Sequence, residues 1–195
     1  VLEFKNVSFI SNESYWNGGA VSSEYAYNTV LFEACHLDSN DGVYDYGAGI
    51  YAAYYSGIAL VDTVIENHRA YYQGGGVYQY YGGDFRCEDS LIEDNFASTV
   101  GGGVRLRDFY SYGEVMVDGC SFVENESEYE GGGLAIEDTN TIRIENTQFV
   151  RNEAGIDFPG GGLLLLRADQ VHLANNHFVA NSAGFGGGAV LEESD

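Results

Sequence analysis

The chain has 195 residues, with 30 acidic against 8 basic side chains and a formal net charge of −22. Nucleic acids and anionic membrane surfaces both attract a basic footprint, so this balance excludes both as partners. No run approaches the roughly 18 consecutive apolar residues that a transmembrane helix needs.

The first recurring element is a short motif in which an apolar residue is followed three positions later by asparagine. Its first copy is Phe9-Ile10-Ser11-Asn12, and later copies follow at steps of 27 to 31 residues. Aligned in this way, the seven copies end at Asn12, Asn40, Asn67, Asp94, Asn125, Asn152 and Asn181. Self-similarity at such a period is typical of a repeat architecture.

The second recurring element is a glycine cluster followed by apolar residues. Gly18-Gly19-Ala20-Val21 is the first copy and Gly186-Gly187-Gly188-Ala189 is the last. Each unit holds three short β-rich runs, separated by polar or glycine-rich turns, and shows no helical periodicity. One such unit cannot bury its inner face alone, whereas stacked copies bury a continuous core. The repeat therefore predicts an all-β fold, a parallel β-helix of about seven coils with three short strands each.

The combination Phe-x-x-Asn and Gly-Gly-Ala-Val resembles the repeat of the polymorphic outer membrane proteins, a group of autotransported bacterial adhesins. The most similar copy is Phe178-Val179-Ala180-Asn181 with Gly187-Gly188-Ala189-Val190, while most other copies read Gly-Gly-Gly. The resemblance covers essentially the whole chain. It implies a single-stranded, right-handed parallel β-helix of the pectate-lyase-like solenoid type, together with export and adhesion.

Residues 1–195 are predicted to form one β-helix repeat domain, because the repeat runs from end to end. Both ends are strand-like, with Val1-Leu2-Glu3-Phe4 at the start and Ala189-Val190-Leu191 near the finish. An open coil end presents unpaired backbone groups. We therefore expect a segment of a longer chain, or self-association end to end or side by side.

Individual columns of the stack have predicted roles. The asparagines should form a ladder of side-chain hydrogen bonds at a left-handed turn, with Asn95 compensating for Asp94. The glycines should allow positive φ or close backbone approach. Alternation along the strand points one apolar column inwards. That column is predicted to be Phe9, Leu37, Val64, Leu91, Phe122, Phe149 and Phe178.

The three cysteines are predicted to be buried free thiols that act as small apolar side chains. Cys35 and Cys120 share a column but lie three coils apart, roughly 14 Å, which is beyond the reach of a disulfide. Cys87 lies one coil from Cys120 in a different register.

Tyrosines concentrate in one turn region of the first coils, and Tyr51 and Tyr78 form a second outward pair beside it. Aromatic rings on a rod can stack on sugars or seat a partner protein. The predicted binding residues are Tyr51, Tyr54, Tyr55, Tyr78, Tyr80 and Tyr81. The alternative is a tyrosine ladder that only stabilises the turns.

Acidic residues cluster in the turns, and Glu66, Glu93 and Glu124 are predicted to share one column on consecutive coils. Calcium takes several carboxylate oxygens and would relieve this repulsion. The predicted calcium ligands are Asp41, Asp45, Glu66, Glu93, Glu124, Glu126 and Glu128. The alternative is a set of solvated acids that confer solubility.

The sequence thus predicts an extracellular, cell-surface scaffold with a structural or adhesive role and a glycan or surface protein as partner. A carbohydrate-binding module is the first alternative, and a polysaccharide lyase or hydrolase of the same fold is the second. No residues are predicted to be catalytic, since the histidines show no metal-ligand spacing and Arg105 with Arg107 is typical of a solvated charged face.

Overall fold

The computed structural model describes residues 1–42, 44, 46–109 and 113–192. Every regular element in these ranges is a β-strand, and every strand pair is parallel. The chain winds through seven coils, each of which adds one strand to a seven-stranded sheet. The predicted all-β solenoid is therefore confirmed.

The largest sheet contains two rows of strands that meet at a bend. The row after the glycine clusters comprises β4 (Val21–Glu24), β8 (Ile50–Ala53), β12 (Val77–Tyr80), β16 (Val104–Arg107) and β24 (Ala189–Glu192). The second row comprises β1 (Leu2–Lys5), β5 (Thr29–Glu33), β9 (Gly57–Val61), β13 (Phe85–Glu88) and β17 (Val115–Asp118). Two long strands, β20 (Leu134–Glu145) and β22 (Leu163–Ala174), run through both rows.

Two further sheets complete each coil. The seven-stranded sheet comprises β2 (Ser8–Ile10), β6 (His36–Asp38), β10 (Val64–Glu66), β14 (Leu91–Glu93), β18 (Ser121–Val123), β21 (Gln148–Val150) and β23 (His177–Val179). Two-residue strands form the third sheet, namely β3 (Glu13–Ser14), β7 (Asp41–Gly42), β11 (Arg69–Ala70), β15 (Phe96–Ala97) and β19 (Glu126–Ser127). This fourth short strand, present in five of the seven coils, was not predicted from the sequence.

The inward column of the seven-stranded sheet differs from the prediction in two coils. Leu37 pairs with Ile65, and Ile65 pairs with Ile92, so these isoleucines are the fully buried residues. The prediction that Val64 and Leu91 point inwards is wrong, because a shift of one residue along a strand reverses every side chain. The observed column is Phe9, Leu37, Ile65, Ile92, Phe122, Phe149 and Phe178.

The asparagine ladder is present, and the same shift changes its membership. Asn95 bonds to Asn125 through Oδ1 of Asn125, with N···O distances of 3.2 Å for the backbone amide and 3.0 Å for Nδ2. In the third coil His68, and not Asn67, occupies the position, while Asn95 replaces Asp94 as predicted. The members are Asn12, Asn40, His68, Asn95, Asn125, Asn152 and Asn181.

Left-handed backbone belongs to the residue before each ladder position and not to the ladder residue itself, which corrects the prediction. Asn67 (φ 61°) and Glu124 (φ 53°) are examples. The glycine clusters confirm both expected roles. Gly101 has a φ of 72°, while a Cβ added at Gly102 would lie 2.3 Å from the carbonyl oxygen of Glu126.

The prediction of three free thiols is wrong for two of them. Cys87 and Cys120 form a disulfide with a Cα–Cα distance of 6.7 Å, within the range that a disulfide spans. The turn between β17 and β18, where Gly119 has a φ of 66°, brings Cys120 back towards the coil that holds Cys87. Cys35 is free and buried, as predicted.

Candidate functional site

A strip of tyrosines follows the ends of β4, β8 and β12 in three successive coils. We call it the tyrosine strip, and it consists of Tyr25, Tyr27, Tyr54, Tyr55, Tyr80 and Tyr81. The ring of Tyr54 is stacked on that of Tyr25 at 4.5 Å and is parallel to that of Tyr81 at 6.5 Å. Tyr27 and Tyr55 form a second stack at 5.0 Å. The strip is partly open to solvent, and Tyr81 is 42% exposed.

The backbone of the strip is held in an unusual conformation. Tyr25, Tyr54 and Tyr81 align in one column and have φ values of 52°, 52° and 46°. A bulky side chain rarely adopts positive φ, whereas Asn, Asp and Gly do so readily. Asp108, Asp138 and Arg167 occupy this column in the next three coils. Tyrosine at these positions is therefore less favourable for the backbone than Asp, although Arg167 shows that the column also holds a long side chain.

Tyr51 and Tyr78 lie on the outer face of β8 and β12, but they are only 7% and 5% exposed. The rings of Tyr46, Tyr54 and Tyr80 cover them, and burial raises the pKa of both phenols. Tyr51 and Tyr78 therefore lie beneath the tyrosine strip, covered by its rings. Their prediction as exposed binding residues is corrected, because so little of either side chain is open to a ligand.

The aromatic residues that follow β16 in the fourth coil, Phe109, Tyr110 and Tyr112, were expected in the same turn region as the tyrosines. Phe109 points into the core and is fully buried, so it does not continue the strip. Tyr110 and Tyr112 lie outside the described residues.

A second group of aromatic rings lies just before the glycine clusters of the same three coils. We call it the turn platform, and it consists of Tyr15, Trp16, Tyr44, Tyr71 and Tyr72. The rings of Tyr15 and Tyr44 lie 5.2 Å apart, and those of Tyr44 and Tyr71 lie 6.1 Å apart. Trp16 is 69% exposed. The sequence contained part of this signal, because an aromatic residue lies within three positions before every glycine cluster except the fourth.

A groove borders the turn platform along the third sheet. It has a volume of about 310 Å³, and its walls include Asp41, Arg69, Tyr71, Phe96 and Ser98. Asp41, Arg69 and Phe96 lie side by side on β7, β11 and β15. The guanidinium of Arg69 lies over the Phe96 ring, 4.7 Å from its centroid.

An ionic network continues the outer face beyond the tyrosines. Arg105 replaces tyrosine in the column of Tyr51 and Tyr78, is 3% exposed, and pairs with Glu137. Burial lowers the pKa of Arg105, and the Glu137 carboxylate opposes this. Arg107 lies over the Tyr80 ring at 5.9 Å. This buried pairing is structural support and contradicts the expectation of a solvated face.

Comparison with known proteins agrees with this architecture. The family model described as a right-handed β-helix region matches residues 2–195. The chain belongs to the right-handed β-helix family. No curated protein and no solved structure matches it. In the described part of this β-helix, no helix is long and apolar enough to cross a membrane.

The acidic column of the β-helix differs from the prediction at one end. Glu66 pairs in register with Asp38 and Glu93, whereas Val123 and not Glu124 continues the column. Glu124 falls in the next column, beside Asp94, and forms an ion pair with Arg151. Burial and then the neighbouring Glu66 carboxylate raise the pKa of Glu93.

A histidine contacts this column from the same strand as Asp38, which the sequence did not indicate. Nε2 of His36 lies 2.6 Å from Oε1 of Glu66, and donor atoms of His36, Asp38 and Glu66 lie within 4.8 Å of one another. Hydrogen bonds from Ser39 and Asn67 to Oδ1 lower the pKa of Asp38. The three side chains could therefore share a cation.

The remaining predicted calcium ligands do not join this group. Asp41 lies in the groove, and Glu126 is on the same sheet three strands away. Glu128 is exposed on the turn after β19, and Asp45 lies outside the described residues. The β-helix thus distributes the six predicted residues that the structure describes over separate places.

Proposed function

We propose that this β-helix is an extracellular scaffold with an adhesive role, and that the tyrosine strip is its attachment surface. The role is one of binding and not of catalysis. The observation that carries the proposal is the column of Tyr25, Tyr54 and Tyr81, stacked and partly exposed on left-handed backbone.

Backbone strain that persists in a fold points to a role for the strained residues. An Asn or Asp at these three positions would suit the backbone better, so the retained rings favour a function that needs aromatic area. Tyrosine supplies such area with a polar tip and little loss of conformational entropy.

The scaffold role is supported by the solenoid itself. Parallel strands from seven coils make a stiff rod with a continuous core, so side chains on its outer face are held in a fixed array. The Cys87–Cys120 disulfide supports an extracellular location, because disulfides persist mainly in oxidising compartments.

The test uses beads coated with the purified chain and a panel of immobilised cellulose, xylan, mannan, pectin, collagen and fibronectin. We expect retention on at least one surface. The double variant Tyr54→Asn with Tyr81→Asn should lose that retention while its melting temperature stays the same or rises, since asparagine suits positive φ.

The control is Tyr129→Asn, which removes a tyrosine of similar exposure from the fifth coil and should leave retention unchanged. Retention of the double variant equal to that of the unmodified chain would contradict the proposal, as would retention on none of the surfaces. Release of reducing ends from any polysaccharide would instead indicate an enzyme.

A further inference from the structure

Arg69 is exceptional among the basic residues of the chain. The other seven lysines and arginines each form an ion pair with a carboxylate. Among the residues that the structure describes, Arg69 has no such partner, although 30 acidic residues are present in the chain. Asp41 lies directly beside it in register, yet the guanidinium lies over Phe96 instead. Its hydrogen-bond donors are therefore available at the groove.

We infer that the groove between Asp41, Arg69, Tyr71 and Phe96 binds a neutral saccharide. This inference adds a ligand class to the proposed function. It rests on that proposal only for the idea that the aromatic residues of the rod take part in recognition. A pyranose has apolar C–H faces and a rim of hydroxyl groups. Tyr71 is exposed enough to meet such a face, while Arg69 can donate to hydroxyls and Asp41 can accept from them.

Charge decides between a neutral and an acidic saccharide. The Asp41 carboxylate stands in the groove itself, and Glu13 is its register neighbour on β3. The net charge of −22 adds a repulsive field towards a polyuronide. One guanidinium does not reverse this balance, so uncharged hexose or pentose chains are the favoured ligands.

The turn platform extends the groove along the rod. From Tyr71 the rings continue to Tyr44 at 6.1 Å and from Tyr44 to Trp16 at 6.5 Å, one ring per coil. The path from the groove to Trp16 therefore covers two coil spacings, roughly 10 Å. A disaccharide can fill the groove alone, whereas a longer chain should also lie on Trp16.

Trp16 is the only tryptophan of the chain and is well exposed, so its fluorescence reports on the far end of this path. We would titrate the purified chain with cello-, xylo- and manno-oligosaccharides of two to six units, with oligogalacturonates of equal length in parallel. Calorimetry would measure affinity independently of the tryptophan signal. At least one neutral series should bind, and its hexamer but not its dimer should change the emission of Trp16.

Arg69→Gln should weaken the binding of the neutral hexamer by about tenfold or more, as expected for loss of charge-assisted hydrogen bonds. The matched control is Arg86→Gln, which makes the same change in charge on β13, where Arg86 pairs with Glu88. It should leave affinity unchanged.

Three results would overturn the inference: no binding of any neutral series, tighter binding of oligogalacturonates, or equal affinity of Arg69→Gln and Arg86→Gln. None of them affects attachment through the tyrosine strip. The double variant at Tyr54 and Tyr81 should still bind the hexamer in the groove. On cellulose, xylan and mannan, its retention is therefore compared in the Arg69→Gln background, where groove binding is weakened and the remaining attachment belongs to the tyrosine strip.

Discussion

The imidazole Nε2 of His68 accepts a hydrogen bond from Nδ2 of Asn40 over 3.0 Å. The amide of Asn40 is oriented by its other contacts, since its Oδ1 accepts from Asn12 and its Nδ2 also donates to the carbonyl of Phe9. The proton of the neutral ring must then sit on Nδ1, which lies 2.9 Å from Oδ1 of Asn95. Protonation of Nε2 would place its N–H opposite the Nδ2 amide of Asn40, so that two hydrogen-bond donors would face each other.

Burial lowers the pKa of His68 to about 4, while an unfolded histidine titrates near 6.5. The folded state thus favours the neutral ring of His68. The contribution of His68 to stability is complete above pH about 6.5 and is lost as the pH falls towards about 4. Between pH 7 and pH 5 the chain should lose about 2 kcal/mol through this group. Urea unfolding of the chain and of His68→Asn at both pH values measures the difference.

The asparagine variant restores the ladder residue found in the other coils and should not show this component. Carboxylates elsewhere titrate equally in both proteins and cancel in the comparison. The same loss of stability in both would mean that His68 does not couple folding to pH.

The neighbouring residues Val64 and Ile65 provide a test of register. Ile65 is fully buried in the core, whereas Val64 is half-buried on the outer face. Ile65→Ala should lower the free energy of unfolding by about 3 kcal/mol through lost burial and a cavity, while Val64→Ala should cost under about 1 kcal/mol. Denaturant melts of the two variants give both values, and the reverse order would restore the register predicted from the sequence motif.

The disulfide predicts a definite thiol count. Denatured but unreduced protein should react with one equivalent of a thiol reagent, at Cys35. Replacing Cys87 and Cys120 together by alanine should cost roughly 3–4 kcal/mol, because a cross-link across 33 residues restricts the unfolded chain. Three reactive thiols would show that the bond is absent.

Calcium binding stays a prediction, now centred on His36, Asp38 and Glu66. Millimolar calcium should raise the melting temperature, since a ligand of the folded state stabilises it by mass action. About 1 kcal/mol corresponds to roughly 2–4 °C for a chain of this size. Magnesium should have a smaller effect, because it gives up its waters reluctantly.

The Glu66→Gln variant should lose the calcium response, whereas Glu128→Gln, an exposed acid on a turn, should keep it. Equal shifts with calcium, magnesium and sodium at matched ionic strength would reduce the effect to charge screening.

The repeat by itself determined the solenoid, its number of coils, the asparagine ladder and the inward Phe122 and Phe149. These follow from local periodicity: a unit of this length and pattern can bury its apolar side chains only by stacking on copies of itself. The tyrosines at 54 and 81 were also placed together, since residues at matching positions of successive units become neighbours across a coil.

Only the tertiary structure decided the features that depend on a one-residue shift in strand register or on contacts between residues at different positions of neighbouring coils. His68 and Ile65 occupy their columns because the third and fourth coils align one residue later than the motif suggested. The hydrogen-bond register between strands decides which side chains point into the core. Cys87 reached Cys120 through the path of a turn. The burial of Tyr51 and Tyr78, and the groove at Arg69, depend on which rings from three coils pack together, and a one-dimensional pattern does not contain that packing.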